Sequence, residues 1–170
     1  GNKAERARMG EVASEGERVV DMFAGIGYFT LPMARAGADV TAIERNPAAF
    51  RYLLENVRRN GVDERVRPYR ADCRDVLKRV DAATDVTADR VVMGYYEAHE
   101  YLDSALAALA SGGVVHLHEA TPEALVPDRP VSRLREAAAD RGRAVEVLAT
   151  RRVKGYSEGV AHVVVDARVE

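Results

Sequence analysis

Asp21-Met22-Phe23-Ala24-Gly25-Ile26-Gly27-Tyr28 is the stretch on which the fold of this chain turns. It joins an apolar run at residues 18–23, read as a buried strand, to residues 28–36, read as a helix. Gly25 and Gly27 allow positive φ and a close backbone approach to a ligand. Open α/β sheets bind their ligands at such turns, beyond the carboxyl ends of the strands. The third glycine of a dinucleotide fingerprint is missing, because Thr30 stands at that spacing. A cofactor without a pyrophosphate is therefore expected, rather than NAD or FAD.

Working outward, strand and helix signals alternate. Residues 39–44 read as a strand. Over residues 47–59, Phe50, Leu53, Leu54 and Val57 recur at helical spacing, and Asn60-Gly61 is a stop signal. Residues 66–71 are a third strand and 74–80 a short helix. Residues 90–94 are a fourth strand. Leu102, Ala105, Leu106 and Leu109 stripe the next helix, 113–118 is a fifth strand, and 131–140 a further helix. Residues 144–154 and 160–169 both read as strands. The segment 155–159 between them is too short for a crossover, so they are expected to form an antiparallel hairpin. The predicted class is α/β: a doubly wound, Rossmann-like, seven-stranded sheet, mostly parallel, ending in a C-terminal antiparallel hairpin. Residues 1–12 read as a helix with no element before it. The expected division is a helical segment over residues 1–16 and a catalytic domain over 17–170, the C-terminal part of a longer protein.

The 170 residues suit one domain with a sizeable core. No apolar run approaches the ~20 residues that span a bilayer, and no leader suggests secretion. The single cysteine, Cys73, excludes an intrachain disulfide and a multi-cysteine zinc site, and makes a cytoplasmic location the expectation. With 25 Lys+Arg against 27 Asp+Glu, overall charge argues neither for nor against nucleic acid. Local clusters matter more. Arg51, Arg58 and Arg59 share a helix, Arg65, Arg67, Arg70 and Arg74 follow, and Arg151, Arg152 and Lys154 precede the last turn. These could track phosphates. Glu55 lies four residues before Arg59, so helix salt bridges on a solvated face are the favoured reading of the first cluster.

The remaining candidates sit at strand ends. Glu44 lies 17 residues after Gly27, where a carboxylate can accept from both hydroxyls of a ribose. Asp72 can accept from an adenine amino group, the backbone N–H of Cys73 can donate to the ring, and Asp72 can also cap the helix that follows. Asp21 and Phe23 border the glycine turn and complete the expected cofactor-binding set. Tyr95 and Tyr96, just beyond the fourth strand, offer surfaces on which a base could stack. His116 and His118 are two apart on a strand and share a face, but no further ligand set is visible and no metal is expected. A general base could be a histidine, His118 in particular, or Glu119.

Five parallel strands followed by a hairpin resemble the sheet of the class I S-adenosylmethionine-dependent methyltransferases. Several segments together resemble the archaeal wybutosine-synthesizing protein 2 family. They are Asn2-Lys3-Ala4-Glu5-Arg6, the glycine turn, and Ala42-Ile43-Glu44-Arg45-Asn46-Pro47. With these go Asp89-Arg90-Val91-Val92-Met93-Gly94-Tyr95, His116-Leu117-His118-Glu119 and Gly159-Val160-Ala161-His162-Val163-Val164-Val165-Asp166. Members are tRNA(Phe) 4-demethylwyosine aminocarboxypropyltransferases, related to the tRNA guanine-N1 methyltransferases that act beside the anticodon. At the fourth strand those methyltransferases usually carry an Asn-Leu-Pro type of motif, where this chain has Met93-Gly94-Tyr95. The resemblance implies that Arg6, Glu44, Asp72 and the backbone of Cys73 contact S-adenosylmethionine. Arg6 would hold the carboxylate of its methionine arm and thereby count as a catalytic candidate. The partner implied is the tRNA(Phe) anticodon loop. The chain departs from the family at Cys73, usually Asn, and at Ala161, usually Trp, and it lacks the family's N-terminal region.

Three readings of the function follow. The first is transfer of the 3-amino-3-carboxypropyl group to C-7 of 4-demethylwyosine at position 37. The second is N1-methylation of guanosine at the same position. The third is a cofactor-binding domain inactive without a missing N-terminal region.

Overall fold

Valine and alanine runs alternate their side chains between two faces, and both faces are covered. The computed structural model describes residues 2–83 and 87–170; Gly1, which opens the helix expected over residues 1–12, lies outside them. The strands are β1 (Arg18–Asp21), β2 (Asp39–Ile43), β3 (Val66–Tyr69), β4 (Ala88–Met93), β5 (Leu109–Pro122), β6 (Val145–Ser157) and β7 (Val160–Val169). The helices are α1 (Asn2–Val12), α2 (Thr30–Arg35), α3 (Pro47–Arg59), α4 (Cys73–Ala83), α5 (Leu102–Ala108) and α6 (Asp128–Ala139). The strands form one sheet in the order β3-β2-β1-β4-β5-β7-β6. β1 to β5 are parallel, and β7 runs antiparallel to β5 and β6. This is the doubly wound sheet expected, with its hairpin. No described helix is long and apolar enough to cross a membrane.

Adjacent residues of a strand serve opposite cores. Val19 and Val92 join Met9 of α1, Leu31 and Met33 of α2, and Leu53 and Val57 of α3 on one face. Val20 and Val91 join Leu77 of α4, Leu106 of α5 and Leu134 of α6 on the other. The order of strands reverses between β1 and β4, so a crevice opens beyond their carboxyl ends, the usual ligand site of such sheets.

Differences from the expected boundaries have physical causes. β5 has 14 residues, far longer than residues 113–118, because β7 pairs along it from Gly113↔Val169 to Pro122↔Val160. Leu109 begins β5 instead of ending the helix before it, because it pairs with Ala88 of β4. β6 extends to Ser157, so the hairpin turns at Glu158-Gly159, with Gly159 at φ 72°. α2 starts at Thr30, leaving Tyr28 and Phe29 in the turn.

A buried polar network fastens α1 to the sheet. Arg8 donates to Asp166 Oδ2 at 2.9 Å and to Glu5 Oε2 at 2.6 Å. Arg151 donates to Asp166 at 2.7 Å. Arg90 donates to Glu17 and to the Val12 carbonyl, and its Nη1 lies 2.7 Å from His116 Nε2. A guanidinium has only donors, so His116 accepts at Nε2 and is neutral, and its Nδ1–H donates to Asp166 at 2.7 Å. Burial pushes the Asp166 carboxyl upward, but the His116 hydrogen bond and the Arg8 charge outweigh it and bring it to about 2. Removing one member of such a buried set costs ~3–5 kcal/mol, because its partners are left unpaired. Asp166→Ala should therefore lower thermal stability by that amount. In the parent protein the carboxyl is more acidic folded than unfolded, where it titrates near ~3.9. Its stabilisation should be complete above about pH 4 and fade as the pH falls toward 2. Melting curves of parent and variant should draw closer as the pH falls over this range, by roughly 2–3 kcal/mol of the difference between them.

Candidate active site

The turn between β1 and α2 keeps its shape through its two glycines and a carboxylate. Gly25 has φ 57° and Gly27 φ 101°. A Cβ on Gly25 would meet nothing within 4 Å, so that position is open toward the crevice. A Cβ on Gly27 would lie 3.2 Å from Leu53 and 3.3 Å from Leu31, inside the core. Glu44, just past β2, accepts from the Gly25 N–H at 2.9 Å and from the Asn46 N–H at 2.7 Å. Its carboxylate is thus fixed at the rim with lone pairs to spare. Asn46 in turn caps α3, accepting from the Ala48 and Ala49 N–H groups.

Beneath the turn lies Asp21, fully buried. Thr30, the residue that breaks the dinucleotide pattern, donates its hydroxyl to Asp21 Oδ2 at 2.6 Å. Asp21 Oδ1 is buried without a hydrogen-bond partner among the described residues. Burial pushes this carboxyl up to about 6, against the hydrogen bond from the Thr30 hydroxyl.

Asp72 caps α4: its Oδ1 accepts from the Arg74 N–H at 2.9 Å, while the Arg74 guanidinium bonds both oxygens. That contact holds the carboxyl below its usual range. Cys73 is buried, and burial followed by the Asp72 charge pushes its thiol up to about 11, which leaves it inert as a nucleophile.

These groups surround two cavities at the switch point. The first, about 450 Å³, is lined by Phe23, Glu44, Asp72, Cys73, Tyr95 and Tyr101 among others. The second, about 300 Å³, is lined by Asn2, Gly25, Tyr28, Phe29, Tyr96, His118 and His162 among others. Phe23, Gly94 and Tyr95 border both, and the Phe23 ring packs on Tyr95 and Tyr101 at 5.1 and 5.0 Å. Arg6 stands behind the second cavity. Its Nε donates to the Tyr28 carbonyl at 3.3 Å, and its guanidinium lies 5.3 Å from the centre of the Tyr28 ring.

The structure therefore brings Phe23, Gly25, Glu44, Asp72, Cys73, Tyr95 and Tyr96 to one crevice; Asp21 and Gly27 lie behind it, buried under the turn and against the core, and Arg6 is one residue removed. It separates His118 from Glu119. His118 faces the second cavity, whereas Glu119 accepts from Thr121, from Arg129 at 3.1 Å and from Arg133 at 2.5 Å. Burial would raise the Glu119 carboxyl, but these donors prevail and lower it, so it is an ion-paired strut and a poor base. Among the described residues no group of three or more His, Cys, Asp or Glu could hold a metal. Arg59 pairs with Glu55 at 2.6 Å, as the helix spacing expects, and Arg151 and Arg152 pair with Asp166 and Glu123. Tyr101 and Phe29 carry no signal in the sequence and become site residues only through packing, whereas His162 falls among the histidines that could serve as a base and within a family-like segment.

With this geometry in hand, the chain can be set beside known proteins. Residues 1–148 match the family model of the TRM5/TYW2 methyltransferase domain. The chain belongs to that family. It is 45% identical over its whole length to the tRNA(Phe) (4-demethylwyosine(37)-C(7)) aminocarboxypropyltransferase of Methanocaldococcus jannaschii, and spans 67% of that protein. It is 41% identical, over 99% of its length, to the enzyme of the same name from Pyrococcus horikoshii, of which it spans 59%. The crystal structure of M. jannaschii TYW2 in complex with AdoMet superimposes with a TM-score of 0.87 at 41% identity, covering 99% of this chain and 75% of that one.

The glycine turn makes a stability prediction. Both positions carry positive φ, which costs an alanine ~1–2 kcal/mol. Gly27→Ala should cost more than Gly25→Ala, because only Gly27 faces packed leucines. Urea unfolding of the two variants measures the difference.

Proposed function

We propose that this chain transfers the 3-amino-3-carboxypropyl group of S-adenosylmethionine to C-7 of 4-demethylwyosine, at position 37 in the anticodon loop of tRNA(Phe). This is a step of wybutosine-derivative synthesis, which we assign to the cytoplasm. The observation that carries the reading is the similarity, along the whole chain, to two proteins named for this activity. The Met93-Gly94-Tyr95 turn, in place of an Asn-Leu-Pro type of motif, favours it over guanine methylation.

The residues present suit the donor. In this reading the first cavity takes the nucleoside. Glu44 accepts from the ribose hydroxyls, Asp72 from the adenine amino group, and the Cys73 N–H donates to the ring. Phe23 and Tyr101 supply its apolar walls. The methionine arm runs past Gly25 toward the second cavity. There the unpartnered Asp21 oxygen, behind the turn, favours a cationic donor electrostatically, and Arg6 draws the arm's carboxylate. Tyr95 and Tyr96 offer their rings to the tRNA base. Bound S-adenosylmethionine supplies three electrophilic carbons on sulfur. Which of them reacts is decided by orientation, because only a near-attack geometry is productive.

Two tests follow. Glu44→Ala removes an acceptor for two hydroxyls and should weaken S-adenosylmethionine binding by roughly 2–3 kcal/mol in calorimetry; unchanged affinity would remove Glu44 from the site. Incubation with S-adenosylmethionine and tRNA carrying 4-demethylwyosine should yield methylthioadenosine, and Arg6→Ala should depress turnover more than it depresses adenosine binding. S-adenosylhomocysteine formed instead, on tRNA with an unmodified guanosine at position 37, would replace this reading with guanosine N1-methylation. Donor binding without turnover would leave a cofactor-binding domain.

A further inference from the structure

The second cavity holds a feature that donor binding does not use. His118 on β5 and His162 on β7 come from strands paired antiparallel, and His118 Nδ1 lies 2.8 Å from His162 Nε2. Both side chains are buried. Their outer nitrogens, His118 Nε2 and His162 Nδ1, are also buried and have no hydrogen-bond partner among the described residues. Buried polar atoms nearly always find partners, so two orphans in rings that line a cavity point to a partner brought by the substrate.

A neutral imidazole has one N–H and one lone pair. The shared contact uses one of each, so the two outer nitrogens are always one donor and one acceptor. Such a pair can take a proton at one end and release another at the far end, reversing the shared hydrogen bond without holding a net charge. Charge is what this site resists. Burial, then His162, His116 and Arg8, press His118 down to about 3, with Asp166 opposing. Burial, then Lys154, press His162 down to about 4, with Glu5 opposing. A lone imidazole so placed would be a weak base at neutral pH. A two-ring relay never needs the imidazolium.

The other candidates for a base are spent or unsuited. Glu119 is clamped by two arginines, and the Tyr95 hydroxyl donates to Glu97 at 3.0 Å. Among the described residues lining the cavity, only the two histidines offer a neutral nitrogen lone pair.

We propose that His118 and His162 form a neutral proton relay that removes the hydrogen from the attacked base carbon; the inference rests on the aminocarboxypropyl-transfer reading. C-7 forms a bond to the Cγ of the methionine arm. The Cγ–S bond breaks, and its electron pair stays on sulfur, giving a neutral thioether. The C-7–H electron pair then returns to the ring, which had become cationic, and the proton passes to His118 Nε2. The proton on His118 Nδ1 moves to His162 Nε2, and the one on His162 Nδ1, a buried atom, leaves on a water admitted to the second cavity beside that ring. Glu5, the carboxylate acting on His162, favours its passage. His118 is the catalytic residue, and His162 acts through it.

Single-turnover assays on the full chain, with S-adenosylmethionine and tRNA carrying 4-demethylwyosine, test this. His118→Gln and His162→Gln should each slow methylthioadenosine formation by about 100-fold or more, on the scale of lost acid–base catalysis, while donor affinity stays within about twofold. Added imidazole should restore turnover to His118→Ala. Wild-type rates in both variants overturn the relay, and so does loss confined to His118→Gln, since His118 would then act alone. If either variant fails to fold, nitrogen-15 NMR of the parent protein decides: both rings should stay neutral from pH 5 to 8, and an imidazolium at pH 6 overturns the proposal. If the parent protein itself forms no methylthioadenosine, the underlying reading fails and the relay falls with it, an outcome distinct from intact turnover in the variants.

Discussion

Glu44 holding the Gly25 N–H at 2.9 Å is the contact on which the site depends. A turn with two positive-φ glycines is entropically loose, and Gly is the residue that loses most freedom on folding. The carboxylate ties that turn to the end of β2, and its second oxygen ties the start of α3 through the Asn46 N–H. One side chain therefore registers three elements around the crevice. Because both bonds are made with backbone, the carboxylate is presented to a ligand already oriented and needs no ordering when one arrives.

The floor of the crevice is stiffened from behind. Asp21 sits under the turn with Thr30 on one oxygen and no partner on the other, and burial keeps its carboxyl unusually basic. That is a cost to folding at neutral pH, and such costs concentrate where ligands bind. The Arg8–Asp166–His116–Arg90 network clamps α1 onto β4, β5 and β7. Since Asn2 of α1 lines the second cavity and Arg6 backs it, that clamp also fixes where those residues stand.

The two cavities differ in what they can recognise. The first offers carboxylates and aromatic faces, which suit a nucleoside. The second is aromatic and holds two buried histidines, with no carboxylate among its described lining residues. Phe23, Gly94 and Tyr95 form the wall the two chambers share.

Much was legible in the sequence because it is written in local patterns. Gly25, Gly27, Glu44 and Asp72 sit at strand ends, and strand ends follow from apolar runs and turn residues. Their convergence then follows from the topology of a parallel sheet, which brings all carboxyl ends to one edge. The hairpin at residues 144–169 was fixed by the shortness of its turn. Other features depend on partners far apart in the chain. That His118 and not Glu119 faces the crevice follows from strand alternation once β7 covers β5, and the meeting of His118 with His162 needs the antiparallel register itself. The clamping of Glu119 by Arg129 and Arg133 requires α6 to lie against β5. Local spacing determined which residues end the strands. Only the tertiary structure decided which buried polar groups found partners, because hydrogen-bond satisfaction depends on contacts across the sheet, which no sequence spacing encodes.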